Sequence, residues 1–417
     1  MIPGRKSVSR PRRAPDGRET LIGLHRLFGL RSGYSRKPAI LVGLAAAAII
    51  TAAIAIPLSL GGAGTTSRPD FQRILDGLVS GPHRLAPGAT AYVSGPHGTW
   101  VGSAGIANVK TGEAMQPDTR LRIQSLSKAW LLAVTLQLAQ EGKLSLSDTV
   151  AHWLPGLLPY GSKITILELE TDTSGLIDDN TLVQDPAVYL ARVKDAKLRK
   201  QLEAIGARLR ANPNTPVNPI WLIRFAAWQP LLFTPGLRYS HSNIGWNIAG
   251  LIVARAAGES LPTLYRDRIF KPLGLTHTSY QPQGQITGPQ HAEGYQIAAN
   301  GTLTNTTAWT FGKGADGAIV TDAADEATFL RALVDNQLHV REALLLFYGS
   351  TGGTHASCPG TAFHGVGAGA ASWAYAYYNA SGNRIAVLLL NGSLASSDGA
   401  TSEPKAAAAA ASLYCNA

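Results

Sequence analysis

Residues 121–156 read LRIQSLSKAWLLAVTLQLAQEGKLSLSDTVAHWLPG. The run Leu121–Glu141 predicts a long apolar helix, stopped by Gly142. Near its start stands Ser125-Leu126-Ser127-Lys128. Residues three apart at the start of a helix share a face, so Ser125 and Lys128 can meet. A serine hydroxyl is a poor nucleophile until a base takes its proton. A lysine ammonium cannot be that base, but a desolvated neutral lysine can. The flank Ala129-Trp130-Leu131-Leu132 is apolar enough to bury the Lys128 stem. A helix N-terminus beside Ser125 would favour developing negative charge. The pattern is short, and Ser402-Glu403-Pro404-Lys405 repeats it, where it reads as a helix cap with surface charge. Context therefore has to decide.

Outward from this segment the chain alternates strand and helix signals. Asp70–Val79 predicts a helix. Ala89–Ser94 and Thr99–Ile106 predict two strands joined by the turn at 95–98. Residues 181–215 form a charged insertion of helical composition. Asn243–Ala257, stopped by Gly258, and Asp322–Asp335 predict further helices. Ala371–Asn379 and Arg384–Asn391 predict a strand pair turning at 380–383, and Glu403–Tyr414 a final Ala-rich helix. Helices bracketed by terminal strands point to an α+β fold with one antiparallel sheet. The G-x-S-x-G, H-E-x-x-H and G-x-x-x-x-G-K-[ST] signatures are absent.

Six collinear blocks now carry a resemblance. Residues 121–156 resemble the serine β-lactamase / D-Ala-D-Ala carboxypeptidase superfamily, nearest its class C-like branch of penicillin-binding-protein-like hydrolases, esterases and D-aminopeptidases. ITILELETDTSGL (164–176) resembles that branch's His-Thr-Ser-Gly-Leu block, with Asp172 in place of the histidine. FTPGLRYSHSNIGWNIAGLIV (233–253), IFKPLGLTHTSY (269–280), GADGAIVTDAADEATFLRAL (314–333) and AFHGVGAGAASWAYAYYNASGNRIAVLLLNG (362–392) follow in the family order. The resemblance implies a β-lactamase/transpeptidase-like α+β fold: an antiparallel sheet flanked by an all-helical region.

The resemblance also implies roles. Ser125 matches the acylated nucleophile and Lys128 the lysine that helps deprotonate it. The second motif, usually Tyr-x-Asn, aligns with His241-Ser242-Asn243. His241 then stands where the tyrosine shuttles protons, and Asn243 matches the residue that orients substrate and lysine. A local shift would present Tyr239-Ser240-His241 instead; the ungapped reading keeps the helix register. The third motif, Lys-Thr-Gly or His-x-Gly, aligns with His364-Gly365-Val366-Gly367. These four residues would line the substrate cleft, with Val366 narrowing it where a glycine is usual. The N–H groups of Ser125 and Gly367 would form the oxyanion hole. A neutral imidazole is a competent general base near neutral pH, so histidine for tyrosine is compatible with catalysis, with activity falling below about pH 6.

Composition bounds the remaining readings. The chain has 417 residues, 45% hydrophobic and 15% charged, enough for a packed core and too apolar for a disordered chain. Its net charge is +10, but residues 1–38 hold ten Lys/Arg against Asp16 and Glu19. That leader is +8 and the rest only +2, so nucleic-acid binding is not supported. The uncharged run Ala39–Leu60 is long enough to span a bilayer, and the basic block before it predicts a cytoplasmic N-terminus. The expected organisation is a basic leader (1–38), a single transmembrane anchor (39–60), a linker (61–69) and an extracytoplasmic hydrolase domain (70–417), with a cleaved, secreted form as the alternative. Cys358 and Cys415 could pair outside the membrane. No metal or organic cofactor is implied. The expected partner is a small-molecule or peptide substrate: a D-amino-acid peptide, amide or ester, with cell-wall peptides as first candidates. The competing reading is a membrane-tethered, inactive ligand-binding relative, favoured by the altered residues His241 and Val366.

Overall fold

The computed structural model describes residues 68–179, 195–212, 219–227, 229–282, 284–308, 314–341, 362–394 and 399–417, with residues 190 and 193. The basic leader, the apolar run 39–60, Cys358 and part of the insertion lie outside them. Among the described residues no helix is long and apolar enough to cross a membrane.

The strands in chain order are β1 (Gly88–Gly95), β2 (Gly98–Asn108), β3 (Glu113–Ala114), β4 (Leu121–Arg122), β5 (Ser279–Tyr280) and β6 (Tyr295–Ile297). They continue as β7 (Leu303–Asn305), β8 (Ile319–Thr321), β9 (Ala362–Ala368), β10 (Trp373–Asn379), β11 (Ile385–Leu390) and β12 (Gly392–Leu394). Six build the main sheet, in the order β3-β2-β1-β11-β10-β9. All its pairings are antiparallel. The predicted strand pairs and both of their turns are present, and the two pairs join in the sheet centre, where β1 lies beside β11.

Period-two alternation gives this sheet two distinct faces. On one, Ala89, Ala91, Val93, Tyr375, Tyr377, Leu388 and Leu390 pack under the first helix, α1 (Arg68–Val79), and the last helix. Phe71, Leu75 and Leu78 of α1, with Ala406, Ala410, Leu413 and Tyr414 of the last helix, complete this layer. The opposite face receives the helical region. There α2 (Ser127–Gln140) is buried nearly all round, which is why it shows no polar stripe. Trp130 of α2 stacks on Phe329 with ring centroids 3.8 Å apart.

The structure corrects one boundary. The helix predicted over 121–141 is three elements: β4, a 3-10 turn at Gln124–Leu126, and α2. The break lies at Gln124, whose φ of 51° is left-handed and incompatible with helix. Three further helices matter for the site: α3 (Ile166–Glu170), α4 (Asn243–Ala257) and α5 (Ala323–Val334). The helix predicted inside the insertion is present at Ala196–Ala211. The final helix, α6 (Gly399–Cys415), is longer than its Ala-rich segment and carries Pro404 inside.

Candidate active site

The turn before α2 presents Ser125. Its left-handed neighbour Gln124 costs about 1–3 kcal/mol and must be held by its surroundings. Gln124 Nε2 donates to Ser372 Oγ at 2.9 Å, and that hydroxyl donates to Arg122 O at 2.6 Å. The serine before β10 therefore locks the turn on both sides of Ile123. Ser125 is half-buried at the mouth of the helical region, and Lys128 is only 2% exposed.

Lys128 Nζ donates to Ser125 Oγ at 3.3 Å and lies 2.9 Å from His241 Nε2. The Trp246 ring covers the ammonium group, 5.8 Å from its centroid. The ungapped alignment thus matches the geometry: His241, not Tyr239, meets the lysine, and Tyr239 is 51% exposed.

Three aspartates that the motif alignment did not assign hold this second motif. Asp172, left-handed at φ 54° and fully buried, accepts the N–H of Ser242 at 3.0 Å and Trp246 Nε1–H at 3.1 Å. Its carbonyl accepts the N–H of Ser240 at 2.7 Å. Burial raises the Asp172 carboxyl, against the charges of Lys128 and His241. Asp178 Oδ2 lies 3.2 Å from His241 Nδ1, and its Oδ1 accepts the N–H of Asn243 at 3.0 Å. Burial alone would raise Asp178, but its hydrogen bonds from His241, Asp179 and Asn243 bring it down to about 2. Asn243 Nδ2 donates to Asp179 Oδ1 at 3.3 Å. Burial, then the charges of Asp178 and Asp316, push the Asp179 carboxyl well above its ordinary value. The signal was in the sequence: Asp178-Asp179 stands one residue beyond Thr173-Ser174-Gly175-Leu176.

The third motif needs correction. On β9, Val366 faces Tyr375 and His364 faces Tyr377 across the ladder. Both lie on the α1/α6 face: Val366 packs against that core, and His364 stacks on Tyr377 at 5.5 Å. They do not line the cleft, and Val366 does not narrow it. Strand alternation turns Gly365 and Gly367 toward Ser125 instead. A Cβ on Gly367 would sit 1.9 Å from Ile123 O and 3.1 Å from Leu126 N, so only glycine fits there.

The ladder also bears on the expected oxyanion donor. Gly369 N–H bonds Ser372 O, and the register runs on unbroken through Ala368↔Trp373 and Gly367↔Ala374. Antiparallel pairs alternate between bonded and non-bonded, so Gly367 N–H, the expected donor, points to β10 and Ala368 N–H to the open edge. Among the described residues no cluster of His, Cys, Asp or Glu could hold a metal ion.

The family model described as Beta-lactamase matches residues 71–411. The chain belongs to this family. A putative penicillin-binding protein of Bacillus subtilis (strain 168) is 26% identical over 239 residues, 57% of this chain and 52% of the relative. Protein Rv1367c of Mycobacterium tuberculosis is 29% identical over 188 residues, 43% of this chain and 44% of the relative. The chain thus spans about half the length of the curated relatives it matches. Among solved structures, a D-stereospecific amidohydrolase from Streptomyces sp. superposes with a TM-score of 0.64 at 24% identity, covering 82% of this chain and 98% of that one. The D-amino acid amidase of Ochrobactrum anthropi SV3 gives 0.62 at 19%, covering 82% and 97%. The penicillin-binding protein of Bacillus halodurans gives 0.62 at 20%, covering 82% and 100%. These likenesses establish the β-lactamase-like α+β fold, with its antiparallel sheet and flanking helices.

Proposed function

We propose that this β-lactamase-family protein is an acyl-transferring serine hydrolase acting on the amide, ester or peptide bond of a D-amino-acid derivative. One observation carries the reading: Lys128 Nζ lies between Ser125 Oγ, at 3.3 Å, and His241 Nε2, at 2.9 Å. A buried amine within reach of both a hydroxyl and an imidazole can move a proton from one to the other. Ser125 Oγ then attacks the substrate carbonyl carbon, and the N–H groups of Ser125 and Ala368 receive the oxyanion. The C–N or C–O bond breaks, the leaving group takes the proton back, and water releases the acid from Ser125. The D-amino-acid preference draws on the activities after which the amidohydrolase and amidase sharing this fold are named. With Ala39–Leu60 as an anchor, the domain would work outside the membrane, where cell-wall peptides and their fragments are available.

The test is intact mass of the full-length chain after incubation with a fluorophosphonate, beside Ser125→Ala. One adduct on the parent and none on the variant supports the reading. No adduct on a folded parent would overturn it in favour of an inactive ligand-binding relative.

A further inference from the structure

Lys128 donates to Ser125 and carries a proton that must leave before its lone pair can accept another. The arrangement around His241 shows where that proton can go. His241 Nε2 faces Lys128 at 2.9 Å, and its Nδ1 faces Asp178 Oδ2 at 3.2 Å. An ionised carboxylate only accepts, so the ring proton belongs on Nδ1 and the lone pair on Nε2. We propose that Asp178 is the positioning residue that makes His241 the proton acceptor for Lys128, giving a Ser125–Lys128–His241–Asp178 chain. This rests on the hydrolase reading above.

The proton ledger closes. Lys128 hands one ammonium proton to His241 Nε2 and, now neutral, takes the hydroxyl proton of Ser125 as Oγ bonds to the carbonyl carbon. Lys128 is again an ammonium, and the imidazolium holds the extra proton against Asp178. When the C–N or C–O bond breaks, Lys128 protonates the leaving atom and recovers its proton from His241. The charge balance at each stage is unchanged.

Asp178 is suited to this by its own partners. Its Oδ1 is tied to the N–H of Asn243 at the start of α4, which fixes Oδ2 toward the ring. Its neighbour Asp179 is buried, bonded by Asn243 Nδ2 and shifted upward by burial and by the charge of Asp178, so Asp178 is the member of the pair turned to the ring. Around the imidazole stand Lys128 from α2, Asp172, Asp178 and Asp179 from the segment after α3, Tyr239 from the segment before α4, and Asp316 behind Lys128. Among the described residues, only Asp178 bonds the ring nitrogen opposite Lys128.

Asp178→Asn is an informative substitution because its orientation is dictated. Asn243 N–H still requires the oxygen, so the amide NH₂ must face Nδ1. That forces the proton to Nε2, where it opposes Lys128. The experiment uses the full-length chain with ¹⁵N-labelled histidine, His241→Gln assigning the signal, and reads fluorophosphonate acylation in parallel. The parent is expected to show the Nδ1–H tautomer, and Asp178→Asn the Nε2–H form with acylation about 10²–10⁴-fold slower. Asp178→Glu should restore the tautomer and part of the rate. An Nε2–H tautomer in the parent overturns the proposal. So does an Asp178→Asn variant that acylates at the parent rate with the parent pH profile. A parent with the Nδ1–H tautomer that takes no label retires the hydrolase reading, while Asp178's placement of the proton stands.

Discussion

His364 stacks on Tyr377 with ring centroids 5.5 Å apart, on the face of the sheet turned away from Ser125. Its imidazole belongs to the α1/α6 core, where Tyr377 in turn packs against Tyr414 of α6. His364→Ala should therefore lower stability by about 1 kcal/mol, the worth of an aromatic pair, and leave the acylation rate at the parent value. Thermal unfolding and fluorophosphonate labelling of the same sample check both halves. A hundredfold loss of labelling without a change in stability would return His364 to the cleft.

Gly367 should behave in the opposite way. The added methyl of Gly367→Ala would sit 1.9 Å from Ile123 O, so the turn carrying Ser125 has to move. A displacement near 1 Å at a reacting group costs about 10²-fold. The expected variant is folded by circular dichroism and labels at least that much more slowly.

Asp172 pins the second motif by accepting two buried donors, Ser242 N–H and Trp246 Nε1–H. Asp172→Ala leaves both unsatisfied at about 1–3 kcal/mol each, and alanine is strained at φ 54°. Asp172→Asn keeps an accepting oxygen and tolerates the left-handed backbone, so its loss should be clearly smaller. Urea titrations of the two variants give the comparison, and equal losses would remove the hydrogen-bond argument.

Two buried glutamates contribute to the pH dependence of stability. Burial raises Glu170 and Glu326 from the ordinary 4.5 to about 8, each opposed by one hydrogen bond, from Thr135 and Trp130 respectively. Thr135 Oγ1 donates to Glu170 Oε1 at 2.6 Å and lies 3.0 Å from Leu131 O. The folded state then binds more protons than the unfolded state between pH 4.5 and about 8. Stability falls as pH rises through that window. Glu170→Gln and Glu326→Gln should flatten the fall, measured as unfolding free energy at pH 5, 6, 7 and 8; a parent whose stability is level across the window contradicts it.

The proposed pairing of Cys358 with Cys415 predicts that the denatured, unreduced chain takes no alkylating reagent, and two equivalents after reduction. Two equivalents before reduction, from protein prepared in an oxidising compartment, would show free thiols.

Much of this molecule is legible in its sequence, for identifiable reasons. The strand pair 371–391 is two apolar runs around a four-residue turn, and Gly258 marks the end of α4. Ser125, Lys128 and His241 fall at motif spacings and meet in space. What escaped depends on parity and handedness. His364-Gly365-Val366-Gly367 shows glycines and side chains in alternation but not which set faces the nucleophile; the cross-strand partners Tyr375 and Tyr377 decide that. The helix start was misplaced because nothing in Gln124 announces a left-handed residue. Asp178 was passed over because a carboxylate partner to histidine has no fixed sequence spacing, and here it lies 63 residues away. His277, with no nearby partner in sequence, likewise meets Asp322 at 2.5 Å across the fold.

Gly367 and Gly369 have no room for side chains, since a Cβ would run into Ile123 O at one and the Gln124 side chain at the other. The wall beside the nucleophile is consequently built of main chain, which every residue type shares and no substitution recolours. Chemical variety at this wall is closed off, and discrimination between substrates has to come from side chains on the other elements around Ser125.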